Sequence, residues 1–280
     1  LEAMAALALE RDCVVVALGG GCVGDLAGFA AATYMRGVQV VQVPTTLLSM
    51  VDSSVGGKTG VNLSAGKNLV GAFKQPAFVC ADTEVLATLP AREWACGCGE
   101  VAKTALIDGD EFFFWLSDQA SAVVDRQPDA VSEVIARCVV FKADVVAQDK
   151  TESRGVRECL NYGHTLAHAI EKLSGYGTYS HGHAVAEGMR FAARMGMRLA
   201  DMPVELAQAQ GQLLDDLGLP ELGWEASPAQ VLDVMKRDKK ARHGQVRFVC
   251  LHDVGQWRLQ DVADGVILEE LEAYFAQKRR

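Results

Sequence analysis

The sequence lacks the features that mark several large classes of protein. With 27 Lys and Arg against 36 Asp and Glu, its formal net charge is −9, which argues against a nucleic-acid-binding surface. No apolar run approaches the ~20 residues that a membrane-spanning helix requires, and no signal-peptide pattern is visible. None of the eight cysteines forms a CxxC pair, so we expect a cytoplasmic protein without disulfides. Cys96 and Cys98, in "ACGCGE", are interpreted as small residues where a helix packs closely, although two thiolates could also bind metal.

The 280 residues are enough for two domains, and the residue pattern changes near Pro90. Before it, apolar runs at 13–18, 38–44 and 77–82 predict strands, which alternate with a helix over 25–35 and a helix from 45 that ends in a glycine-rich loop near 62. This alternation predicts a parallel, Rossmann-like α/β nucleotide-binding domain over residues 1–90. Residues 91–280 are predicted to form a mainly α-helical domain, with "GQVRFVCL" and "GQWRLQDV" as a terminal hairpin. The predicted helices cover 91–107, 110–124, 128–149, 155–173, 182–201 and 203–217.

Two glycine-rich segments are candidates for anion binding. "ALGGGCVGDLAG" (17–28) lies between a predicted strand and helix, where backbone N–H groups can approach a pyrophosphate, but a tight turn without a ligand remains an alternative. "PTTLLSMVDSSVGGKTGVNLSAGKNLVGAF" (44–73) places hydroxyls, one acid, two lysines and an asparagine among glycines. It lacks the P-loop spacing, and we expect a loop that binds a phosphate or carboxylate rather than a solvated surface loop.

"CGEVAKTALI" (98–107) carries one acid and one base on a single predicted helix face. A surface ion pair between Glu100 and Lys103 is the ordinary interpretation. The apolar residues around them leave little solvent-facing surface, so we expect Glu100 to point into a site.

Four of the six histidines fall within "NYGHTLAHAIEKLSGYGTYSHGHAVAEG" (161–188). His164 and His168 are one helical turn apart and could chelate a metal, although an isolated HxxxH is more often not a metal site. Two histidines with a glutamate from elsewhere would form a normal set for a catalytic zinc. Arg157 and Asn161 extend the same predicted stripe in steps of four, three and four, which favours a polar pocket.

Several motifs together resemble the 3-dehydroquinate synthase family of sugar-phosphate cyclases: "GGGCVGDLAGF", "VPTTLLSMVDSSVGGKTGVN", "GKNLVGAF", "GEVAK", "LNYGHTLAHAIE" and "HGHAVAEGM". They run in order from about residue 13 to residue 250. The resemblance implies an NAD-binding α/β domain against a helical, metal-carrying domain, with the site in the cleft. The implied reaction converts 3-deoxy-D-arabino-heptulosonate 7-phosphate to 3-dehydroquinate and phosphate, in the shikimate pathway. The implied steps are transient oxidation by NAD, phosphate elimination, re-reduction and intramolecular aldol closure, with zinc or cobalt as the metal.

The resemblance also implies roles for individual residues. The implied metal ligands are Glu100, His164 and His181. Implied nucleotide contacts are Gly20, Gly21, Asp25, Thr45, Thr46, Asp52, Lys58, Lys67 and Thr88. Implied substrate-contacting or catalytic positions are Asp52, Lys58, Lys67, Asn68, Lys103, Lys142, Glu152, Arg157, Asn161, His168 and Lys239, with Lys240 as the alternative to the last. Arg36, in "YMRG", matches a residue that reaches into a partner subunit's site, so a homodimer is implied.

The sequence departs from the family pattern at several points. His183 stands where the family usually has glutamate, and an extra residue before Arg157 leaves the register of Glu152 open. The start, "LEAMAALALERD", is typical of the tail of an amphipathic helix, so we expect the natural N-terminus to be missing. The resemblance implies a further N-terminal strand–helix segment that this sequence does not contain, so we expect NAD binding or folding to be weak.

Three other functions compete with the dehydroquinate reaction. They are a related cyclase acting on sedoheptulose 7-phosphate or glucose 6-phosphate, a metal-dependent polyol dehydrogenase, and an NAD-binding regulatory module or inactive remnant. Asn161, His168 and Arg157 together favour the dehydroquinate reaction.

Overall fold

This computed structural model describes residues 1–63, 66–175, 177–237 and 245–279, and of residues 66–68 it describes the backbone alone. The chain divides into two compact units. The first comprises Leu1–Gly97 and Val131–Arg154, and the second Cys98–Ala130 and Gly155–Arg280. The domain boundary near residue 90 stays a prediction.

The first unit contains a parallel sheet, as the strand–helix alternation predicts. Its elements begin with α1 (Glu2–Ala6), β1 (Val14–Gly19), α2 (Gly21–Thr33), β2 (Gln39–Pro44), β3 (Lys58–Leu63), β4 (Gly66–Phe73) and β5 (Phe78–Val79). The parallel strands lie in the order β1-β2-β5, with Val16 opposite Val41 in the register. The three predicted strands are confirmed, although the third has only two residues in the ladder. The sheet packs through Ala17 and Val40 against Ala31 of α2.

The glycine-rich segment after the predicted helix is not simply a loop, and this part of the prediction was wrong. A short helical segment covers Ser49–Ser53, and β3 then pairs with β4 as an antiparallel hairpin. The glycines allow this pairing. Gly60 lies opposite Gly71. A Cβ added to Gly71 would come within 2.3 Å of the Thr59 carbonyl oxygen. A composition that is typical of loops therefore serves close strand contact here.

The remaining elements are mainly helical and end in the predicted hairpin. They are α3 (Ala91–Asp108), α4 (Asp110–Val124), α5 (Pro128–Gln148), α6 (His164–Leu173), α7 (His181–Leu199), α8 (Val204–Asp216), α9 (Pro228–Arg237), β6 (Val246–Asp253), β7 (Gln256–Val262) and α10 (Asp264–Lys278). β6 and β7 are antiparallel, with Val246 opposite Val262. Helices α9 and α10 were not predicted from the sequence. Among the described residues, no helix is long and apolar enough to cross a membrane.

The helix predicted over 155–173 is interrupted, and the prediction of a single polar stripe along it was therefore wrong. A 3₁₀ helix over Val156–Asn161 is followed by Tyr162 in an extended conformation and by Gly163 at φ +78°, and only then does α6 begin. Gly163 takes a backbone conformation that side chains disfavour, and a Cβ there would lie 2.8 Å from the Val185 carbonyl oxygen. His164 and His168 still share α6, but Arg157 precedes the break and does not continue their face.

Candidate metal centre and charged clusters

Glu100, His164 and His181 come together within the second unit. Glu100 lies in the middle of α3, whereas the two histidines are the first residues of α6 and α7. The Glu100 Oε1 atom is 3.4 Å from His164 Nε2 and 3.2 Å from His181 Nε2. All three ligand atoms lie within 4.8 Å of one another, and in the part of the chain that the structure describes no other histidine, cysteine and acidic side chains are grouped in this way.

This spacing fits a bound metal ion. A tetrahedral zinc ion with bonds of about 2.0–2.1 Å holds its ligand atoms roughly 3.3 Å apart. The two measured separations of 3.2 and 3.4 Å bracket that value. One carboxylate oxygen and two imidazole nitrogens leave a coordination position open for a substrate, and the set accepts zinc or cobalt.

Local structure fixes the direction of the His164 ring. The ring Nδ1 lies 3.1 Å from the Tyr162 carbonyl oxygen, which leaves Nε2 turned to Glu100. Tyr162 is fully buried, and its hydroxyl lies 2.6 Å from Gln210 Oε1. Gly163, in the left-handed conformation between Tyr162 and His164, turns the chain directly into α6.

Close packing of two helices brings Glu100 and His181 together. A Cβ added to Gly99 would lie 2.6 Å from the Gly182 carbonyl oxygen, so only glycine fits where α3 meets α7. This explains the small residue before Glu100 in "ACGCGE". Cys96 and Cys98 are buried, and neither belongs to the ligand group found among the described residues.

The Glu100 carboxylate is buried between cations. Lys103 Nζ donates to its Oε2 atom, and the two side chains are only 3% and 1% exposed. Burial alone would raise the pKa of Glu100, but the Lys103 ammonium and the two histidines outweigh it and hold that pKa well below its ordinary value. Burial would lower the pKa of His181, but hydrogen bonds to Glu100 and Glu171 raise it to about 10.

A second group of predicted site residues lies in the first unit. Lys142 Nζ donates to Asp52 Oδ1 at 2.7 Å and also to the Asp52 carbonyl oxygen. Burial, reinforced by Asp52 and opposed by Lys142, raises the pKa of Asp25 to about 6. Lys58 and Glu152 form a more exposed ion pair at 2.6 Å.

The glycine cluster lies against the hydroxyl-rich segment. A Cβ on Gly20 would lie 3.1 Å from Thr46 Cγ2, and one on Gly21 would lie 2.9 Å from Ser53 Oγ. The Thr45 N–H donates to the Gly19 carbonyl oxygen at 3.0 Å, so β1 and β2 end side by side at this turn. The two glycine-rich motifs that were separate in sequence are therefore neighbours.

The other predicted site residues are placed less closely. Arg157 is 3% exposed, Asn161 is half-buried, and the His168 ring centroid lies 5.6 Å from that of His164. Arg36 and Thr88 are exposed. Three predictions lie outside what the structure describes: the side chains of Lys67 and Asn68, and the whole of Lys239.

Sequence reasoning missed Glu171, whose Oε1 atom lies 3.5 Å from His181 Nδ1. A signal was present, because residues 164, 168 and 171 follow the spacing of one helix face. His183, which departs from the family pattern, places its Nδ1 2.7 Å from Ser180 Oγ beside the start of α7. It is not part of the ligand group.

Comparison with known proteins assigns the family. A model described as 3-dehydroquinate synthase N-terminal matches residues 1–96, and one described as 3-dehydroquinate synthase C-terminal matches residues 97–241. The chain belongs to the 3-dehydroquinate synthase family. It is 50% identical over 266 residues to a 3-dehydroquinate synthase of Acidithiobacillus ferrooxidans, a match that covers 94% of this chain and 72% of the relative.

Solved structures of two sugar-phosphate cyclases have the same fold as this 3-dehydroquinate synthase family member. A 2-deoxy-scyllo-inosose synthase complexed with carbaglucose-6-phosphate, NAD⁺ and Co²⁺ matches with a TM-score of 0.88 and 32% identity, over 97% of this chain and 76% of that one. A 2-epi-5-epi-valiolone synthase from Streptomyces hygroscopicus, with NAD⁺ and Zn²⁺ bound, matches with a TM-score of 0.89 and 27% identity, over 99% of this chain and 77% of that one.

Proposed function

We propose that this chain catalyses the 3-dehydroquinate synthase reaction. In that reaction 3-deoxy-D-arabino-heptulosonate 7-phosphate is converted to 3-dehydroquinate and phosphate in the shikimate pathway, which leads to chorismate and the aromatic amino acids. The observation that carries the proposal is the group formed by the buried Glu100 with His164 and His181, with Lys103 on the same carboxylate, in a chain of this family.

We propose that Glu100 Oε1, His164 Nε2 and His181 Nε2 hold a zinc or cobalt ion. Their separations fit such an ion, and two structural neighbours contain Co²⁺ or Zn²⁺. When bound, the ion supplies Lewis acidity at a substrate oxygen. Lys103 pairs with the other oxygen of Glu100. The negative charge of the carboxylate is therefore balanced when an anionic substrate binds beside it.

We propose that NAD binds along the glycine cluster Gly20–Gly21 and the hydroxyls of Thr45 and Thr46. Support comes from their proximity at the ends of β1 and β2 and from the NAD⁺ in both structural neighbours. α2 begins at Gly21, and the N-terminus of a helix favours a bound pyrophosphate. Asp52, oriented by Lys142, and Lys58 are proposed to lie near the nicotinamide and the substrate.

The proposed substrate carries both a phosphate and a carboxylate, and Lys58, Lys142, Lys103 and Arg157 are proposed to bind these anionic groups. Arg157, Asn161 and His168 are proposed to contact substrate, and Glu152, paired with Lys58, to move a proton. Lys67, Asn68, Thr88 and Lys239 remain proposed contacts on the family resemblance alone.

We also propose that the protein acts as a cytoplasmic homodimer in which Arg36 reaches the partner's site. The exposure of Arg36 is compatible with such a role. Sedimentation of the wild type and of Arg36→Ala, together with the rate of each, tests this. A monomeric protein with full activity would exclude it.

The choice of substrate can be tested by phosphate release. Purified protein with NAD⁺ and Co²⁺ is offered the heptulosonate phosphate, sedoheptulose 7-phosphate and glucose 6-phosphate in separate assays. We expect release from the heptulosonate phosphate, because only that substrate has the carboxylate. Faster release from either of the others would assign the chain to a related cyclase. Accumulation of NADH with a polyol would instead indicate a dehydrogenase.

A further inference from the structure

Both ring nitrogens of His181 face carboxylates. Its Nε2 lies 3.2 Å from Glu100 Oε1, and its Nδ1 lies 3.5 Å from Glu171 Oε1. Glu171 belongs to α6, and its side chain is only 11% exposed. A carboxylate loses solvation when it is buried to this degree, so its position beside an imidazole N–H requires an explanation.

We infer that Glu171 is the positioning residue for His181 as a metal ligand. This inference rests on the proposed metal site. A neutral imidazole has one N–H and one lone pair, and the lone pair must point at the metal. With Glu171 accepting from Nδ1–H, the tautomer is fixed and Nε2 remains available for the ion beside Glu100.

The two histidines of the site are oriented by different kinds of acceptor. His164 Nδ1 faces the neutral carbonyl oxygen of Tyr162 at 3.1 Å, whereas His181 Nδ1 faces a charged carboxylate. A charged acceptor makes the imidazole a stronger electron donor, so Glu171 contributes to metal affinity as well as to direction. The same contact joins α6 to the first residue of α7 and so links the two helices that carry the histidines.

Titration of metal-free protein with Co²⁺ tests the inference in the absence of substrate. The variant is Glu171→Gln, which keeps the size of the side chain and removes its charge. We expect Co²⁺ affinity to fall about tenfold to 100-fold and the visible Co²⁺ absorption to change. The matched control is Glu270→Gln, because Glu270 is 12% exposed and paired with Arg194 at 2.6 Å in the same unit. We expect the control to bind Co²⁺ as the wild type does.

A purely structural role for Glu171 predicts a different pattern. In that case Glu171→Gln would lower the free energy of unfolding of the metal-free protein and leave the Co²⁺ spectrum of the folded protein unchanged. Wild-type affinity and spectrum in Glu171→Gln, or an equal loss in Glu270→Gln, would overturn the inference.

A second measurement needs no variant and so avoids any failure to fold. In ¹⁵N-histidine-labelled, zinc-loaded wild type, we expect NMR to show His181 protonated at Nδ1 and ligated through Nε2. An Nε2–H tautomer would overturn the inference.

Failure of the proposed function would look different from failure of this inference. A protein that turns over none of the sugar phosphates but loses Co²⁺ affinity in Glu171→Gln contradicts the function and keeps the inference. A protein that releases phosphate from the heptulosonate phosphate, with unchanged Co²⁺ binding in Glu171→Gln, does the reverse.

Discussion

Replacement of Lys103 by methionine tests whether the buried carboxylate of Glu100 is tied to a metal site. Methionine keeps the unbranched side chain and removes the ammonium, which leaves Glu100 without its partner at Oε2. The two side chains are 3% and 1% exposed, and breaking a pair buried to this degree costs about 3–5 kcal/mol. Because His181, with its pKa raised to about 10, remains a cation beside Oε1, we expect the lower end, about 3 kcal/mol, for the metal-free protein.

The loss should shrink when metal is present. A divalent ion at Glu100, His164 and His181 supplies positive charge to the same carboxylate. In Lys103→Met this ion no longer competes with the lysine ammonium for Glu100. Lys103→Met should therefore bind Zn²⁺ more tightly than the wild type, and excess Zn²⁺ should restore part of its stability.

The assay is urea unfolding followed by circular dichroism, with and without excess Zn²⁺. Lys236→Met is the control, because Lys236 forms an exposed pair with Asp264 at 2.7 Å, and such pairs contribute about 0–1 kcal/mol. An equal loss for Lys103→Met with and without Zn²⁺ would refute the coupling. A loss no larger than that of the control would refute the burial argument.

Three further predictions test the rest of the structure. Iodoacetamide should modify exposed Cys22 and Cys80 in the native protein and spare the five buried cysteines until denaturation; mass spectrometry that finds early modification of a buried one would contradict the packing. The pKa of Asp25 is raised from 3.8 to about 6, so the folded protein holds a proton there that the unfolded chain releases, and stability falls as pH rises through that window. Asp25→Asn should therefore raise the urea midpoint at neutral pH, with the gain vanishing towards pH 4, and a gain independent of pH would exclude this cause. Gly188→Ala places a Cβ 1.9 Å from the Gly163 carbonyl oxygen, so it should destabilise the protein by about 1–3 kcal/mol in urea unfolding and reduce bound metal, whereas wild-type values of both would contradict the described turn.

The sequence predicts most of the secondary structure because most elements have a clear period. The apolar β-branched run at 13–18 and the helical pattern at 110–124 leave few alternatives, and both elements form close to the predicted bounds. Prediction fails where glycine acts through tertiary contact. Gly163 ends the 3₁₀ segment because α7 approaches it, and Gly71 permits strand pairing because the Thr59 carbonyl oxygen approaches its Cα closely. Periodicity within one segment cannot report either approach.

The candidate metal site could be predicted only in part from the spacing of residues in the sequence. The spacing of His164 and His168 predicts a shared helix face, which the structure has, but spacing alone favours those two as the chelating pair. The geometry instead groups His164 with His181 and the distant Glu100. Glu171 escaped notice because its significance depends on the ring of His181, a residue on the next helix.

Phosphate release from the heptulosonate phosphate with NAD⁺ far below the substrate concentration is the most direct test of the proposed function. Hydride leaves and returns in the same cycle, so we predict many phosphates released per NAD⁺, no net NADH, and loss of the activity with a chelator or in His181→Ala. Phosphate release that stops at one equivalent of NAD⁺, or that persists after the metal is removed, would contradict the account.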